Sequence, residues 1–184
     1  MHVRTYDRLL ELLLKDPYSI EIPSLARKLE EYSDFKCSKD IELLKGVWEL
    51  KWSSSKIPFL KYSSFYENLQ ILDPFTLKGM NLLKPKNLNY IIGTSILIDI
   101  KIINDIRIQA DFTNAGIIGP KFLSKKIKIL KKFKKPQRGF LDITYLRDDI
   151  RICRGDKGTL FVLLRYKNEH LFNEFIECYE KFKS

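Results

Sequence analysis

The spacing of apolar positions changes once along this chain, near Gly46. Before it, apolar residues cluster at helical spacing. Leu9, Leu10, Leu12, Leu13 and Leu14 crowd one stretch that Asp16-Pro17 brings to an end. Leu25, Ala26 and Leu29 then mark a helix from about Pro23 to Tyr32, with the proline in its first turn. A short third helix after Ser38 carries Ile41, Leu43 and Leu44. From Gly46 onward the period is two. Trp48, Leu50 and Trp52 alternate with Val47, Glu49 and Lys51. Strands are predicted at Tyr66–Leu72, Asn87–Ile92, Ser95–Ile103, Asp105–Phe112, Phe140–Leu146, Asp149–Cys153 and Thr159–Tyr166. Asn104-Asp105 and Gly155-Asp156-Lys157-Gly158 read as hairpin turns, with both glycines of the second expected at positive φ. After the N-cap residue Asn168, a closing helix presents Leu171, Phe172, Phe175, Ile176, Tyr179 and Phe182 on one face.

About eight sequential strands joined by short connections predict an up-and-down antiparallel barrel, because closure removes exposed edges. The expected division is a helical segment 1–45, a barrel 46–166 and an amphipathic helix 167–184. A barrel of this strand number holds one small ligand or is filled by its own side chains; the alternation fits either.

Charge changes this picture at one place. The net charge is +10, and nine of the basic residues lie between Lys121 and Arg138, a stretch without an acid. The remainder is nearly neutral. Phe122, Leu123, Ile127, Leu130 and Phe133 sit among these lysines at helical spacing, the pattern of a helix lying in a membrane surface. Lys125, Lys126, Lys128, Lys131, Lys132, Lys134 and Lys135 would be its lipid-facing charges; a solvated basic loop is the alternative. Nucleic acid is disfavoured, because stacking aromatics are sparse and basic excess alone gives only non-specific binding.

The three cysteines, Cys37, Cys153 and Cys178, are widely spaced, which argues against a disulfide framework or zinc site and for a reducing compartment. With only His2 and His170, and no titratable pair at mechanistic spacing, neither a metal centre, a cofactor nor catalysis is expected. No apolar run reaches the length of a membrane-spanning helix. The first residues lack the apolar core of a secretory signal and the composition of a transit peptide. The expectation is therefore a bacterial chain or one whose leader has been removed.

Two blocks resemble a known family. Leu44-Lys45-Gly46-Val47-Trp48-Glu49-Leu50-Lys51-Trp52-Ser53-Ser54-Ser55 is similar to the opening block of the plastid lipid-associated, or fibrillin, family. Trp52 and Ser53 stand there in place of that family's usual Tyr and Thr. The run Gly139–Leu163, with Leu141-Asp142-Ile143-Thr144-Tyr145-Leu146 and Arg151-Ile152-Cys153-Arg154-Gly155, closely resembles the family's second signature. Arg147 departs from it, replacing an acid. Leu29-Glu30 and Gln70 match smaller features, so the likeness spans roughly residues 8 to 165.

The resemblance implies a lipocalin-like barrel that binds, carries or organises an apolar metabolite (a lipid, carotenoid or prenylquinone). The place implied is thylakoids or lipid bodies, on the cytoplasmic side in a cyanobacterium or in the plastid stroma, with peripheral membrane contact and a photoprotective role. The alternative is an adaptor, without a ligand of its own, that scaffolds prenylquinone synthesis or photoprotection. The lumen residues expected to bind the ligand are Leu50, Trp52, Gln70, Ile96, Ile98, Ile100, Ile108 and Ala110. As in lipocalins, Gly46 and Trp48 are expected to close the barrel floor, with Arg151, Arg154 or Arg165 across the indole. Asp142, Tyr145, Arg151, Arg154 and Asp156 read either as a polar site or, more simply, as a network fixing strand register.

Overall fold

The computed structural model describes residues 2–88, 92–122 and 125–180. Three helices, α1 (His2–Lys15), α2 (Ile22–Glu30) and α3 (Cys37–Leu44), precede eight strands. These are β1 (Gly46–Ser53), β2 (Tyr66–Asp73), β3 (Lys78–Pro85), β4 (Gly93–Ile102), β5 (Arg107–Phe122), β6 (Lys125–Leu146), β7 (Ile150–Gly155) and β8 (Leu160–Arg165). Helix α4 (Glu169–Glu180) follows. Each strand pairs antiparallel with the next, and β8 returns to β1 (Trp48 opposite Arg165, Leu50 opposite Leu163), so the sheet closes as an eight-stranded ring.

Three apolar clusters account for the fold. Inside the ring, Trp48, Leu50, Ile98, Ile100, Ile108, Ile143, Cys153 and Leu163 pack together, and Phe35, Cys37 and Leu44 of the α3 segment close one end. Outside, Leu9, Leu12, Leu13, Ile22, Ala26 and Leu29 of α1 and α2 cover Tyr145, Ile150, Ile152, Leu160, Val162 and Leu164. On the remaining outer face, Leu171 and Phe175 of α4 cover Val47, Leu69, Ile71, Met80, Leu82, Leu97 and Ile118. Leu171, Phe172, Phe175 and Ile176 of the closing helix's apolar stripe thus lie on the outside of the sheet, and Phe182 lies outside the described residues. Leu171 N–H donates to the Asn168 side chain (3.4 Å), as an N-cap should.

Several expectations need correction. The third strand is Lys78–Pro85, not Asn87–Ile92; Asn87 lies in the turn after it at φ +65°, and residues 89–91 lie outside the described residues. That strand hid because Asn81 and Lys84 break its apolar run. In the Gly155–Gly158 turn only Gly158 takes positive φ (+72°). The lysine-rich segment is neither helix nor loop. Its described residues are the end of β5 (Lys121 and Phe122) and the first part of β6, which pairs with β5 from Phe122–Lys125 back to Arg107–Asp142. Leu123 lies outside the described residues. Helical spacing of five apolar residues misled here: long β5 offers a ladder, and strand pairing satisfies the backbone that a helix would otherwise have to satisfy.

β6 pairs with β7 only over Leu141–Leu146. The β5–β6 hairpin therefore rises beyond the ring, on the end opposite α3, and its β6 edge carries the lysines. Pairing is offset between Phe112–Gln137 and Asn114–Lys132, so residues 133–136 bulge from the edge.

Candidate functional site

The barrel is sealed at the α3 end. Trp48 is fully buried, and its indole N–H donates to the Leu44 carbonyl at 3.0 Å. The Arg165 guanidinium stacks 4.3 Å from the indole centre and donates to the carbonyls of Lys45 (2.8 Å), Leu43 (2.7 Å) and Asp148. It therefore satisfies the carbonyl end of α3, where the helix dipole favours a cation. Gly46 sits at φ +128°, a conformation that favours glycine, and a β-carbon there would come 2.8 Å from Arg165 Nη1 and push the guanidinium aside.

Arg151 lies 5.1 Å from the same indole and is wholly buried. It donates through Nη2 to Gln70 Oε1. β7 and β2 are separated in the ring by β8 and β1, so this bond spans the interior instead of following the wall. Arg151 forms the floor above Trp48. Burial pushes its pKa down to about 10, and burial pushes the neighbouring Cys153 thiol up to about 11. Arg154, the other arginine expected at the floor, is on the outer face. It grips Glu30 of α2 through Nε (2.8 Å) and Nη2 (2.6 Å). An arginine alternating with Arg151 across one residue should share its face, but Ile152 and Cys153 both intervene, which puts Arg154 on the opposite side.

Above the floor is a cavity of about 290 Å³. Leu50, Leu60, Leu83, Ile96, Phe59 and Phe161 supply its apolar surface; Gln70, Asn68, Asn81 and Thr94 supply its polar groups. A 3₁₀ turn at Pro58–Leu60 lies over it, held where Asn68 Nδ2 donates to the Phe59 carbonyl at 2.6 Å. An adjoining surface groove of about 580 Å³ shares Phe59, Leu83 and Thr94 with the cavity and extends to Tyr66 and Ile117. The cavity and groove both stand at the hairpin end. Around them large apolar side chains face solvent: Phe59 is 71% exposed, Phe65 78%, Ile117 57% and Ile129 70%.

The lumen residues named from sequence divide three ways. Leu50, Gln70 and Ile96 line the cavity. Ile98, Ile100, Ile108 and Ala110 pack into the filled lower half of the barrel. Trp52 packs outside with the α1–α2 cluster, because the β1–β8 register shifts between Leu50 and Trp52 and reverses the alternation. Asn81 and Thr94 were missed, since neither stands out in an apolar alternation. Asn81 sits opposite Gln70 across β2–β3, and that pairing needed the true third strand to be seen.

The polar set around the last hairpins does not converge. Arg107 pairs with Asp142 through Nε (2.7 Å) and Nη2 (2.8 Å), and holds that carboxyl below the usual range. The Phe140 N–H donates to Asp156 Oδ1 at 3.0 Å. Tyr145 is buried under the helices. These contacts fix register and helix docking. Of the lysines, Lys131, Lys132, Lys134 and Lys135 are exposed on β6, and Lys125, Lys126 and Lys128 occupy register positions opposite Phe122, Lys121 and Ile118. Among the described residues, no helix is long and apolar enough to cross a membrane.

Comparison with curated proteins and with solved structures finds no match. The PAP_fibrillin family model matches residues 12–164, from within α1 through nearly all of the eight strands. The chain belongs to that family, the plastid lipid-associated proteins or fibrillins.

Proposed function

We propose that this protein binds and carries an apolar metabolite (a lipid, carotenoid or prenylquinone) in the upper half of its barrel, and exchanges it at an anionic membrane surface. The observation that carries the reading is the cavity above Arg151, apolar on most sides with a few amide groups, the usual composition of a small-molecule site. Its volume is at the lower end for such sites. It takes one end of a long molecule, and the rest lies in the groove past Phe59. Binding and release need no bond to be made or broken, so the reading is of a non-catalytic protein.

The surroundings of the mouth support the membrane half of the proposal. Phe59, Phe65, Ile117 and Ile129 form an apolar rim of the kind that marks an interaction surface. The hairpin beside them carries exposed lysines, and each lysine near an anionic surface contributes about 1 kcal/mol. A rim that enters the headgroup region would shorten the path of an apolar ligand through water. Thylakoids or lipid bodies, on the cytoplasmic or stromal side, are the membranes the family membership suggests.

The protein purified from its natural membrane source should release an apolar molecule on solvent extraction, identified by mass spectrometry. Ile96→Trp should abolish its retention while leaving the circular dichroism spectrum intact. Retention unchanged in that variant would refute binding inside the barrel. A filled variant that still captures its protein partners would favour the adaptor role. Flotation with phosphatidylglycerol-containing vesicles should be lost on changing Lys131, Lys132, Lys134 and Lys135 to Glu; unchanged flotation would end the membrane claim.

A further inference from the structure

The floor of the cavity carries a charge that has no counter-ion among the described residues. Arg151 is fully buried, yet its Nε and Nη1 have no hydrogen-bond partner among the described residues. Its Nη2 donates to the neutral amide of Gln70, and the neutral Cys153 thiol lies within hydrogen-bonding reach of the guanidinium. The groups around it are the Trp48 ring, the Cys153 thiol and a second cation, Arg165; among the described residues no carboxylate pairs with it. The contrast with the other buried or half-buried cations is sharp. Lys84 has Glu67, Arg154 has Glu30, and Arg165 has three backbone carbonyls. Buried guanidinium donors left open cost several kcal/mol unless something fills them. Gln70, which accepts from Nη2, is itself a wall of the cavity, so the guanidinium stands a single side chain below the space where a ligand would sit.

We propose that Arg151 anchors the head of the bound molecule, and that the head is a carboxylate: the ligand is a carboxylate-headed amphiphile, seated head down with its chain toward Phe59. This deepens the reading above and rests on it. A planar carboxylate matches the paired N–H donors of a guanidinium, and its single negative charge offsets the single positive charge of the floor. Gln70 then acts as the gate, turning aside to admit the head. The lysines of the hairpin serve a different step, drawing the anion toward the mouth.

The test compares dodecanoate, dodecanol and methyl dodecanoate by calorimetry on the full-length protein at neutral pH. Dodecanoate should bind at least tenfold more tightly than the other two, the scale of a hydrogen bond to a charged group. Arg151→Met should remove that preference and keep dodecanol binding. Gln70→Ala, which frees Nη2, should widen it. Changing Lys131, Lys132, Lys134 and Lys135 to Glu should leave the equilibrium preference in place. Carboxyl-labelled dodecanoate should show, by carbon NMR, a bound titration midpoint well below that of the free acid. The wild-type comparison and the NMR titration need no variant, so they decide the matter even where Arg151→Met fails to fold. Equal affinity for acid, alcohol and ester, or an unshifted carboxyl titration, would overturn the anchor and leave the apolar cavity standing. If none of the three binds, the cavity reading falls with it.

Discussion

Removing the Lys84 ammonium should be among the most damaging single changes in this protein, although it touches neither the cavity nor the floor. Glu67 and Lys84 lie directly opposite one another on β2 and β3, on the same outer face as Leu69 and Leu82 beneath α4. Lys84 is wholly buried. Its ammonium contacts the Glu67 carboxylate, donates to the Leu88 carbonyl at 2.5 Å and sits 5.8 Å from the Tyr166 ring. The Tyr166 hydroxyl donates to the same carboxylate, 3.1 Å from both oxygens. Lys84→Met fills the space and leaves Glu67, only 8% exposed, without its counter-charge. Breaking one side of a buried pair costs about 3–5 kcal/mol. The surviving Tyr166 bond places this case at the lower end, near 3 kcal/mol. For a chain of this size that is roughly 6–12 °C in Tm. Urea denaturation followed by circular dichroism measures it, in a cycle with Glu67→Gln. The double variant, in which a neutral amide still accepts from Tyr166, should recover most of the loss. A single variant within about 1 kcal/mol of the parent, or a double variant no better than the single, would show that the pair is not what holds β2 and β3 beneath α4.

Three further outcomes follow from named contacts. Glu30→Ala removes two bonds to Arg154 and one from Thr144 Oγ1 (2.6 Å), and should cost about 2–3 kcal/mol in chemical denaturation by loosening α2 from the barrel. Asp142 and Asp111 have carboxyl pKa values lowered first by hydrogen bonds from Arg107 and Arg138 respectively. Their stabilisation is therefore complete above the unfolded carboxylate pKa near 4 and is lost as pH falls through the lower folded values. Acid titration of stability should show this loss, and Asp142→Asn should blunt it; since Arg107 and Arg138 are about half exposed, the effect is modest. Cys37 and Cys153, both buried with thiols pushed to about 11 by burial, should resist a thiol reagent at pH 8 in the folded protein and react fully in urea.

The ring of strands was legible because most of its members alternate cleanly, and the N-terminal helices because their leucines repeat at helical spacing. What the alternation concealed has one physical origin: parts of this sheet are covered on both faces. β7 and β8 are buried on the inside by the lumen cluster and on the outside by α1 and α2, so the apolar run of β8 is nearly continuous and carries no face information, while in β7 a charged residue, Arg151, is the one that points inward. β3 reverses the usual sense. Its outer face, under α4, holds Met80, Leu82 and the paired Lys84, while Asn81 faces the cavity. A polar residue pointing inward and a charged one buried outward together erase the signal. Bulges do the rest. Register shifts at Leu50/Trp52 and at Ile143/Tyr145 each reverse which side chains face inward, and a pattern of period two carries no mark of where it slips.

The lysines of β6 illustrate how two demands select the same residues. The stretch before Leu141 has its ladder to β5 on one side and no β7 partner on the other, so it is an edge strand. Edges left open invite pairing with a second chain, and lysines, a proline and a bulge are the usual means of blunting them. Lys131, Lys132, Lys134 and Lys135 with Pro136, bulging at residues 133–136, supply all three. That role alone would be met by charge of either sign. The choice of lysine throughout, in a chain otherwise close to neutral, is the part that edge protection does not explain. Its position at the open end, beside Ile117, Ile129 and Phe59, fits the proposed membrane contact: the same residues that keep the edge from pairing with protein would give the mouth an attraction to anionic lipid. Substituting glutamates would therefore separate the two demands. Edge protection would survive the exchange and the variant would be no more prone to self-association than the parent, while vesicle binding would be lost. Aggregation of the glutamate variant, with flotation retained, would reverse the assignment.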